Sequence, residues 1–414
     1  MHRALGIHVF GGGFGLGVRD KHKIEAHLET HNFGIETAEQ NLGVPIINCS
    51  ACDWPSIDAD WVYGNPRCTA FSLLTSGCSE SAHGPFAKQT IDIQELCQYG
   101  VKNDYPVICW ESVQQAYSIG RPLLDYLRDN LFAPNGYRIA HLFINAASFG
   151  NAQNRKRYFF VAYKRGKNFN ISPPELPDFF SGPYHKIYDL IDNETREDDG
   201  TGWTPDTYKK LHDSEKECLQ YLQNGFSLNK LAKMCYKHLS EDHQYIWKTR
   251  ASDVPFGLHA IRRISWMSHC PTLTGKCSAL IHPRHHRPLT LRELSRLMGW
   301  GDYYPIGVDP AAQLGKGICP EIGSWLADQV TDYLNDEWGS EDWESSFDHR
   351  EGEWKGGDVN GALEKVFNLT SYKPYSMDDC PFDNPIEHLW YYDRLTGERY
   401  YSEKQLRKIQ REYA

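Results

Sequence analysis

The stretch Ala4-Leu5-Gly6-Ile7-His8-Val9-Phe10 runs directly into Gly11-Gly12-Gly13-Phe14-Gly15-Leu16-Gly17, and its reading decides the fold. A short apolar run of this kind is a buried strand. The glycine-rich turn after it lets backbone amides approach a ligand closely. Alone, such a turn fits an ordinary strand-to-helix junction equally well. The next segment adds support, because Ile24 to Glu29 reads as a second strand ending in an acid, where a parallel nucleoside-binding sheet offers a carboxylate to ribose hydroxyls. A third strand, Val44 to Cys49, precedes Asp53, and a fourth, Trp61 to Tyr63, leads into a polar loop. Tyr105 to Trp110, Phe143 to Ala147 and Arg157 to Tyr163 complete the series. The pattern is α/β, with ligand loops expected at the carboxyl ends of successive strands.

Those loops carry the chemistry. The fourth strand delivers Gly64-Asn65-Pro66-Arg67-Cys68-Thr69-Ala70-Phe71-Ser72, the fifth delivers Glu111-Ser112-Val113, and Gln153-Asn154-Arg155-Lys156-Arg157 precedes the last. A cysteine nucleophile, a carboxyl group and a pair of guanidiniums are what is needed to add a thiolate across the ring of a flipped pyrimidine. Taken singly, Cys68 would be a small buried hydrophobe and Glu111 a solvated strand end.

Length and composition bound the class. With 414 residues and 40% hydrophobic content, the chain can bury one large core, or a main domain plus something smaller. No stretch approaches a membrane span and no secretory signal opens the chain, which implies an intracellular protein with its 12 cysteines reduced. Cys49 and Cys52 have zinc-like spacing, but no second pair answers them, so no metal is expected. A net charge of -10 argues against indiscriminate coating of nucleic acid while leaving room for a locally basic cleft.

Together the motifs resemble one family, the DNA (cytosine-5) methyltransferases. Phe10-Gly11-Gly12-Gly13-Phe14-Gly15 is similar to its first motif, Pro66-Arg67-Cys68 to its nucleophile loop and Glu111-Ser112-Val113 to its Glu-Asn-Val triplet. Gln153, Arg155 and Arg157 meet its Gln-x-Arg-x-Arg pattern, after the family-like run Asn145 to Gly150. Pro271-Thr272 and the run from Arg287 to Trp300 resemble later segments. The resemblance covers about residues 4–163 and 261–335, and ordered motifs are far more specific together than singly.

The resemblance implies a Rossmann-like class I methyltransferase sheet, a smaller target-recognition domain and a C-terminal appendage. It implies a catalytic domain at 1–165 and 261–335, target recognition at 166–260, and an acidic linker with a small aromatic appendage at 336–414. Implied partners are double-stranded DNA and a sulfonium donor, with no membrane, in a monomer of viral or prokaryotic type acting in the cytoplasm or at the nucleoid. Cys68 would add to ring carbon 6 of an extruded cytosine, Glu111 would hold ring nitrogen 3, and Arg155 and Arg157 would serve the base carbonyl, the loop or a phosphate. Phe10, Gly12, Gly15, Glu29, Asp53, Gly315 and Lys316 fall at donor positions, and Pro66, Arg67, Ser72, Gln153 and Thr272 at substrate positions.

Departures from the pattern matter too. Arg67 stands where the family has a second proline, and a cation there would lower the thiol pKa or reach an anion. Ser112 replaces an asparagine. In Gly315-Lys316-Gly317-Ile318-Cys319-Pro320, Lys316 replaces the asparagine near the donor. Two unexpected cations favour carboxy-S-adenosylmethionine over S-adenosylmethionine, giving 5-carboxymethylcytosine; in the alternative, Lys316 faces solvent or a phosphate.

Basic and aromatic residues interleave between Gly166 and His259, which suits a nucleic-acid surface or an ordinary helical face. Leu389 to Tyr401 reads as two aromatic strands around a turn, with no activity assigned. Rival functions are an RNA or free-nucleotide cytosine-5 enzyme and a non-catalytic DNA-binding relative. Retention of Cys68 and Glu111 weighs against the last.

Overall fold

The computed structural model describes residues 1–72, 83–164 apart from 86, and 261–336 apart from 267, 276–279 and 303–308; between 165 and 260 it describes short stretches, chiefly 187–191 and 213–227. Most of the expected target-recognition segment and all of the C-terminal appendage from 337 on lie outside the described residues.

The strands are β1 (Arg3–Ile7), β2 (Lys23–Glu29), β3 (Ile46–Asn48), β4 (Trp61–Gly64), β5 (Val107–Ser112), β6 (Tyr137–Asn145), β7 (Gln153–Asn154), β8 (Lys156–Lys164), β9 (Arg262–Arg263), β10 (Cys270–Pro271) and β11 (Leu280–Ile281). The helices are α1 (Gly13–Val18), α2 (Ile35–Leu42), α3 (Ile91–Lys102), α4 (Gln115–Ser118), α5 (Arg121–Tyr126), α6 (Ile187–Leu190), α7 (Asp213–Leu219), α8 (Leu291–Leu297), α9 (Pro310–Lys316) and α10 (Pro320–Leu334).

Seven strands form one sheet in the order β3-β2-β1-β4-β5-β8-β6. All neighbours are parallel except β8, which runs antiparallel to both β5 and β6. The chain reverses direction across the sheet at β1, so the loops after β1, β2, β4 and β5 open at one edge, as a ligand crevice requires.

Burial on both faces explains why the strands read as continuous apolar runs rather than as alternating ones. Trp61, Tyr63, Val107 and Cys109 belong to one core and Val62, Ile108 and Trp110 to the other, as the two-residue period dictates. The first core also takes in Leu294, Leu314, Ile322 and Leu326, so residues after 260 share a core with the first 164.

Helix α10 packs on α1 at Gly17, where a Cβ would sit 1.9 Å from the Pro320 carbonyl oxygen; only glycine permits that approach. Helix α8 is started by a reciprocal cap: Thr290 Oγ1 accepts from Glu293 N at 3.2 Å, and Glu293 Oε2 accepts from Thr290 N at 2.8 Å. Arg287 donates to both Glu293 oxygens at 2.9 Å, closing the turn from below.

The strand expected at Phe143 to Ala147 is shifted. Strand β6 begins at Tyr137 and ends at Asn145, whose Oδ1 accepts from Ala147 N at 3.3 Å and turns the chain. Being at the sheet edge, β6 tolerates Arg138 and His141 between its apolar residues, and these hide its first half from a search for apolar runs.

Candidate active site

Cys68, in the loop after β4, is half-buried. Burial pushes its thiol pKa up and the Glu111 charge pushes the same way, while Arg157 and Arg155 pull it down. Glu111 is buried near the end of β5, where register places it diagonally across from Arg157 on one sheet face. Arg157 Nε donates to Glu111 Oε1 at 2.8 Å. Burial raises the Glu111 pKa, and Arg157 and Arg155 oppose the rise. Burial thus favours the protonated acid and the two guanidiniums favour the carboxylate. Beside it opens a cleft of about 310 Å³, lined by Gln114, Gln115, Asn154, Lys156, Arg157 and Thr272 among others. Apart from Val113 its wall is amides, cations and one hydroxyl, chemistry suited to a polar base or its phosphate.

Two residues read as acting on substrate hold the scaffold instead. Arg155 is 1% exposed, and its guanidinium donates to the carbonyls of Leu273 at 2.6 Å, Gly315 at 3.0 Å and Gly317 at 2.6 Å. Burial and Arg157 lower its pKa to about 10, so it stays charged at neutral pH. Gln153 is fully buried; its Nε2 donates to Leu297 O and its Oε1 accepts from Leu273 N, each at 2.9 Å. Both side chains stitch the strand before the active edge to the segments 273 and 297–317. Thr272, by contrast, lines the cleft, with Oγ1 donating to Asn154 O at 2.8 Å.

On the donor side, Phe10 is buried with φ of 49° and Gly12 has φ of 85°, the left-handed turn that the glycine run permits. Gly15 packs against Leu42 and Tyr63. Glu29 is buried at the end of β2; its Oε1 accepts from Val9 N at 2.6 Å and its Oε2 is buried without a hydrogen-bond partner among the described residues. That Oε2 faces His8 Nδ1 at 3.7 Å, and a carboxylate at the end of this strand stands where a nucleoside-binding sheet meets ribose hydroxyls. Asp53 is exposed in a short turn beyond β3. Gly315 lies against Thr274, whose carbonyl oxygen is 1.9 Å from where a Cβ would stand. Lys316 is exposed with Nζ 4.1 Å over the Phe33 ring, itself edge-on to Phe10, and its carbonyl accepts from Asn65 Nδ2 at 3.0 Å. Among the described residues Lys316 has no carboxylate partner.

The expectation for Arg67 is corrected. Its Nε and Nη2 donate to Asp92 Oδ2 and Oδ1 at 2.6 and 2.8 Å, so it is not a free cation for the thiol, the donor or a phosphate. The cations acting on Cys68 are Arg157 and Arg155. Pro66 is buried before it, and Ser72, half-buried, ends the described part of the loop.

Asp92 belongs to a buried charged cluster that the sequence did not disclose. His31 Nε2 lies 3.2 Å from Asp92, and His8 lies 3.5 Å from Glu95 and 3.7 Å from Glu29. Burial alone would lower the His8 pKa, but the carboxylates raise it to about 10. Burial likewise opposes ionisation of Asp92, yet His31, His8 and Arg67 hold it well below the usual carboxylate range. Ligand atoms of His8, Asp92 and Glu95 come within 4.8 Å of one another. A protonated imidazole and a bidentate guanidinium already balance these carboxylates, so the donor set is a poor fit for a metal. The signal in the sequence was His8 itself, a titratable residue interrupting an apolar run.

Comparison with known proteins agrees with this geometry. The model of the C-5 cytosine-specific DNA methylases matches residues 123–331. Type II methyltransferase M.DdeI of Desulfomicrobium norvegicum is 22% identical over 315 residues, covering 67% of this chain and 74% of that protein. Among solved structures, the Entamoeba histolytica methyltransferase EhMeth superposes with a TM-score of 0.53 at 11% identity, over 81% of this chain and 98% of its own. The S. pombe Dnmt2 methyltransferase superposes with 0.51 at 13% identity, over 81% of this chain and all of its own. These likenesses carry the fold, a mainly parallel Rossmann-like methyltransferase sheet. With the family model spanning half of its length and the motif residues gathered at one sheet edge, the chain belongs to the C-5 cytosine-specific DNA methylases.

Proposed function

We propose that this protein transfers a one-carbon-derived group from an S-adenosylmethionine-type sulfonium to carbon 5 of a cytosine extruded from duplex DNA, through a covalent Cys68 adduct. The observation that carries the reading is the Glu111–Arg157 ion pair of 2.8 Å beside a half-buried thiol whose titration both residues influence. Cys68, as thiolate, bonds to ring carbon 6; the ring's electron pair moves toward carbon 5 and nitrogen 3, which takes its proton from Glu111. Carbon 5 is then nucleophilic. The donor, when bound, supplies an electrophilic sulfonium carbon and leaves as a neutral thioether. The carbon 5 proton passes to solvent water, the electron pair of that bond re-forms the carbon 5–carbon 6 double bond as the carbon 6–sulfur bond breaks and Cys68 leaves as thiolate, and nitrogen 3 returns its proton to Glu111. Arg157 restrains the Glu111 carboxyl in place throughout. Glu29, Phe10 and the Gly12 turn would hold the adenosyl portion.

For the donor, we favour a carboxylated sulfonium, carboxy-S-adenosylmethionine, giving 5-carboxymethylcytosine. With Arg67 neutralised by Asp92, this rests on Lys316 alone, an exposed cation without a described carboxylate partner. A charge-assisted hydrogen bond of ~1.5–3 kcal/mol corresponds to about ten- to a hundredfold in donor preference. The second reading is transfer of an ordinary methyl group, with Lys316 on a phosphate.

The test offers duplex DNA and the matching RNA equal amounts of both donors and identifies the nucleosides by mass spectrometry. A carboxymethyl product on DNA, lost in Cys68→Ser and turned toward methyl in Lys316→Asn, is expected. A predominantly methyl product refutes the carboxylated donor, RNA modified as well as DNA refutes the substrate, and full activity in Cys68→Ser refutes the adduct.

A further inference from the structure

The residue before the nucleophile is anchored from an unexpected direction. Arg67 meets Asp92 through three donors, the backbone N at 3.3 Å and the guanidinium Nε and Nη2 at 2.6 and 2.8 Å. Asp92 is fully buried in the first turn of α3, so it belongs to the rigid scaffold rather than to the loop. It is held there by His31 at 3.2 Å, and Glu95, one turn later, faces His8 at 3.5 Å. His8 stands at the entrance to the glycine turn with φ of 54° and closes the chain of charges onto Glu29 at 3.7 Å. Asn65, just upstream, ties the same loop to His8 and to Lys316, its N donating to His8 O at 3.3 Å and its Nδ2 to Lys316 O at 3.0 Å.

A nucleophile loop can be fixed in two ways. A proline ring locks φ covalently and needs no partner. An arginine has no such lock and loses considerable freedom when held, so a planar bidentate contact to a buried carboxylate is what can fix it. The contact engages the Nε and Nη2 edge of the guanidinium, which directs that edge toward the scaffold rather than toward the cleft. We propose that Arg67 and Asp92 form a positioning pair that holds Cys68 at attack distance, and that the His8–Glu95–Glu29 charges keep Asp92 fixed and ionised for that purpose. Neither residue touches the reacting atoms. The pair replaces by an ion pair the restraint that proline gives the similar loops, and it connects the nucleophile to the turn expected to hold the donor. The inference rests on the covalent reading of Cys68.

The experiment measures loss of tritium from carbon 5 of labelled cytosine in duplex DNA without donor, since reversible addition of Cys68 alone makes that hydrogen exchangeable. Wild type, Cys68→Ser, Arg67→Ala, Arg67→Pro and Asp92→Asn are compared, with melting temperatures to confirm folding. Arg67→Ala and Asp92→Asn are expected to slow exchange by about tenfold or more, the equivalent of one charge-assisted contact, with little change in the DNA concentration giving half-maximal rate. Arg67→Pro should recover most of the rate, because a ring restores the restraint without the carboxylate. Arg67→Ala exchanging at the wild-type rate, or Arg67→Pro as slow as Arg67→Ala, overturns the pair. Absence of exchange in wild type overturns the covalent reading instead. Alkylation of the Cys68 peptide by iodoacetamide, followed by mass spectrometry, then decides the pair independently: rates unchanged by Arg67→Ala and Asp92→Asn overturn it, and rates altered by both support it.

Discussion

Replacing Arg155 with methionine separates a scaffold role from a catalytic one. The guanidinium satisfies the carbonyls of Leu273, Gly315 and Gly317 in a site that is 1% exposed, and it draws together two chain segments more than 40 residues apart. Methionine fills much of the volume but donates nothing. Each buried carbonyl left without a partner costs about 1–3 kcal/mol, and relaxation around the smaller side chain recovers part of the sum. The expected loss is therefore about 3–6 kcal/mol, a large share of the roughly 5–15 kcal/mol by which folded domains exceed their unfolded chains. Arg157→Met is the internal control, because that side chain is 13% exposed and contacts Glu111 and its neighbour's carbonyl. Urea unfolding followed by tryptophan fluorescence should give a much lower midpoint for Arg155→Met, and a smaller change for Arg157→Met together with loss of activity. A stable but inactive Arg155→Met would refute the reasoning and return Arg155 to direct work on the substrate.

His8 predicts a pH dependence. Its pKa, about 6.5 when unfolded, rises to about 10 in the fold because three carboxylates outweigh the cost of burial. The stabilisation is complete below the unfolded value and is lost as pH rises through the folded one, at about 1.4 kcal/mol per pH unit in between. Urea midpoints of wild type should fall across that window relative to His8→Asn; parallel curves would sink the idea. Gly17→Ala sets a Cβ 1.9 Å from Pro320 O and 2.7 Å from Ser324 N, both backbone atoms, so α10 must move. A loss of about 3 kcal/mol is expected in the same assay, and an unchanged midpoint would show that α1 and α10 are not locked together.

The sequence by itself determined the strands and the order of the chemical loops. Apolar runs such as Ile24 to Glu29 and Trp61 to Tyr63 are local signals, legible because both sheet faces are buried and no polar residue need alternate. Cys68, Glu111 and Arg157 could be singled out because a thiol, a carboxyl and a guanidinium stand beside successive strands, and the fold brings the last two together at 2.8 Å. What neighbours those side chains have is a property of long-range packing, and there the reading fell short. Arg155 and Arg157 are two residues apart in one motif, yet Arg155 turns into the scaffold toward residues 273–317 while Arg157 faces Glu111. Arg67 read as a loose cation because Asp92, its partner, lies 25 positions away on a separate helix. His8 was read simply as part of an apolar strand, and its charge is set by Glu29, Asp92 and Glu95, carboxylates from two other elements. Periodicity records which residues are buried; only the tertiary structure decides which buried charges meet, because Coulomb and hydrogen-bond energies depend on distances that no spacing along the chain encodes.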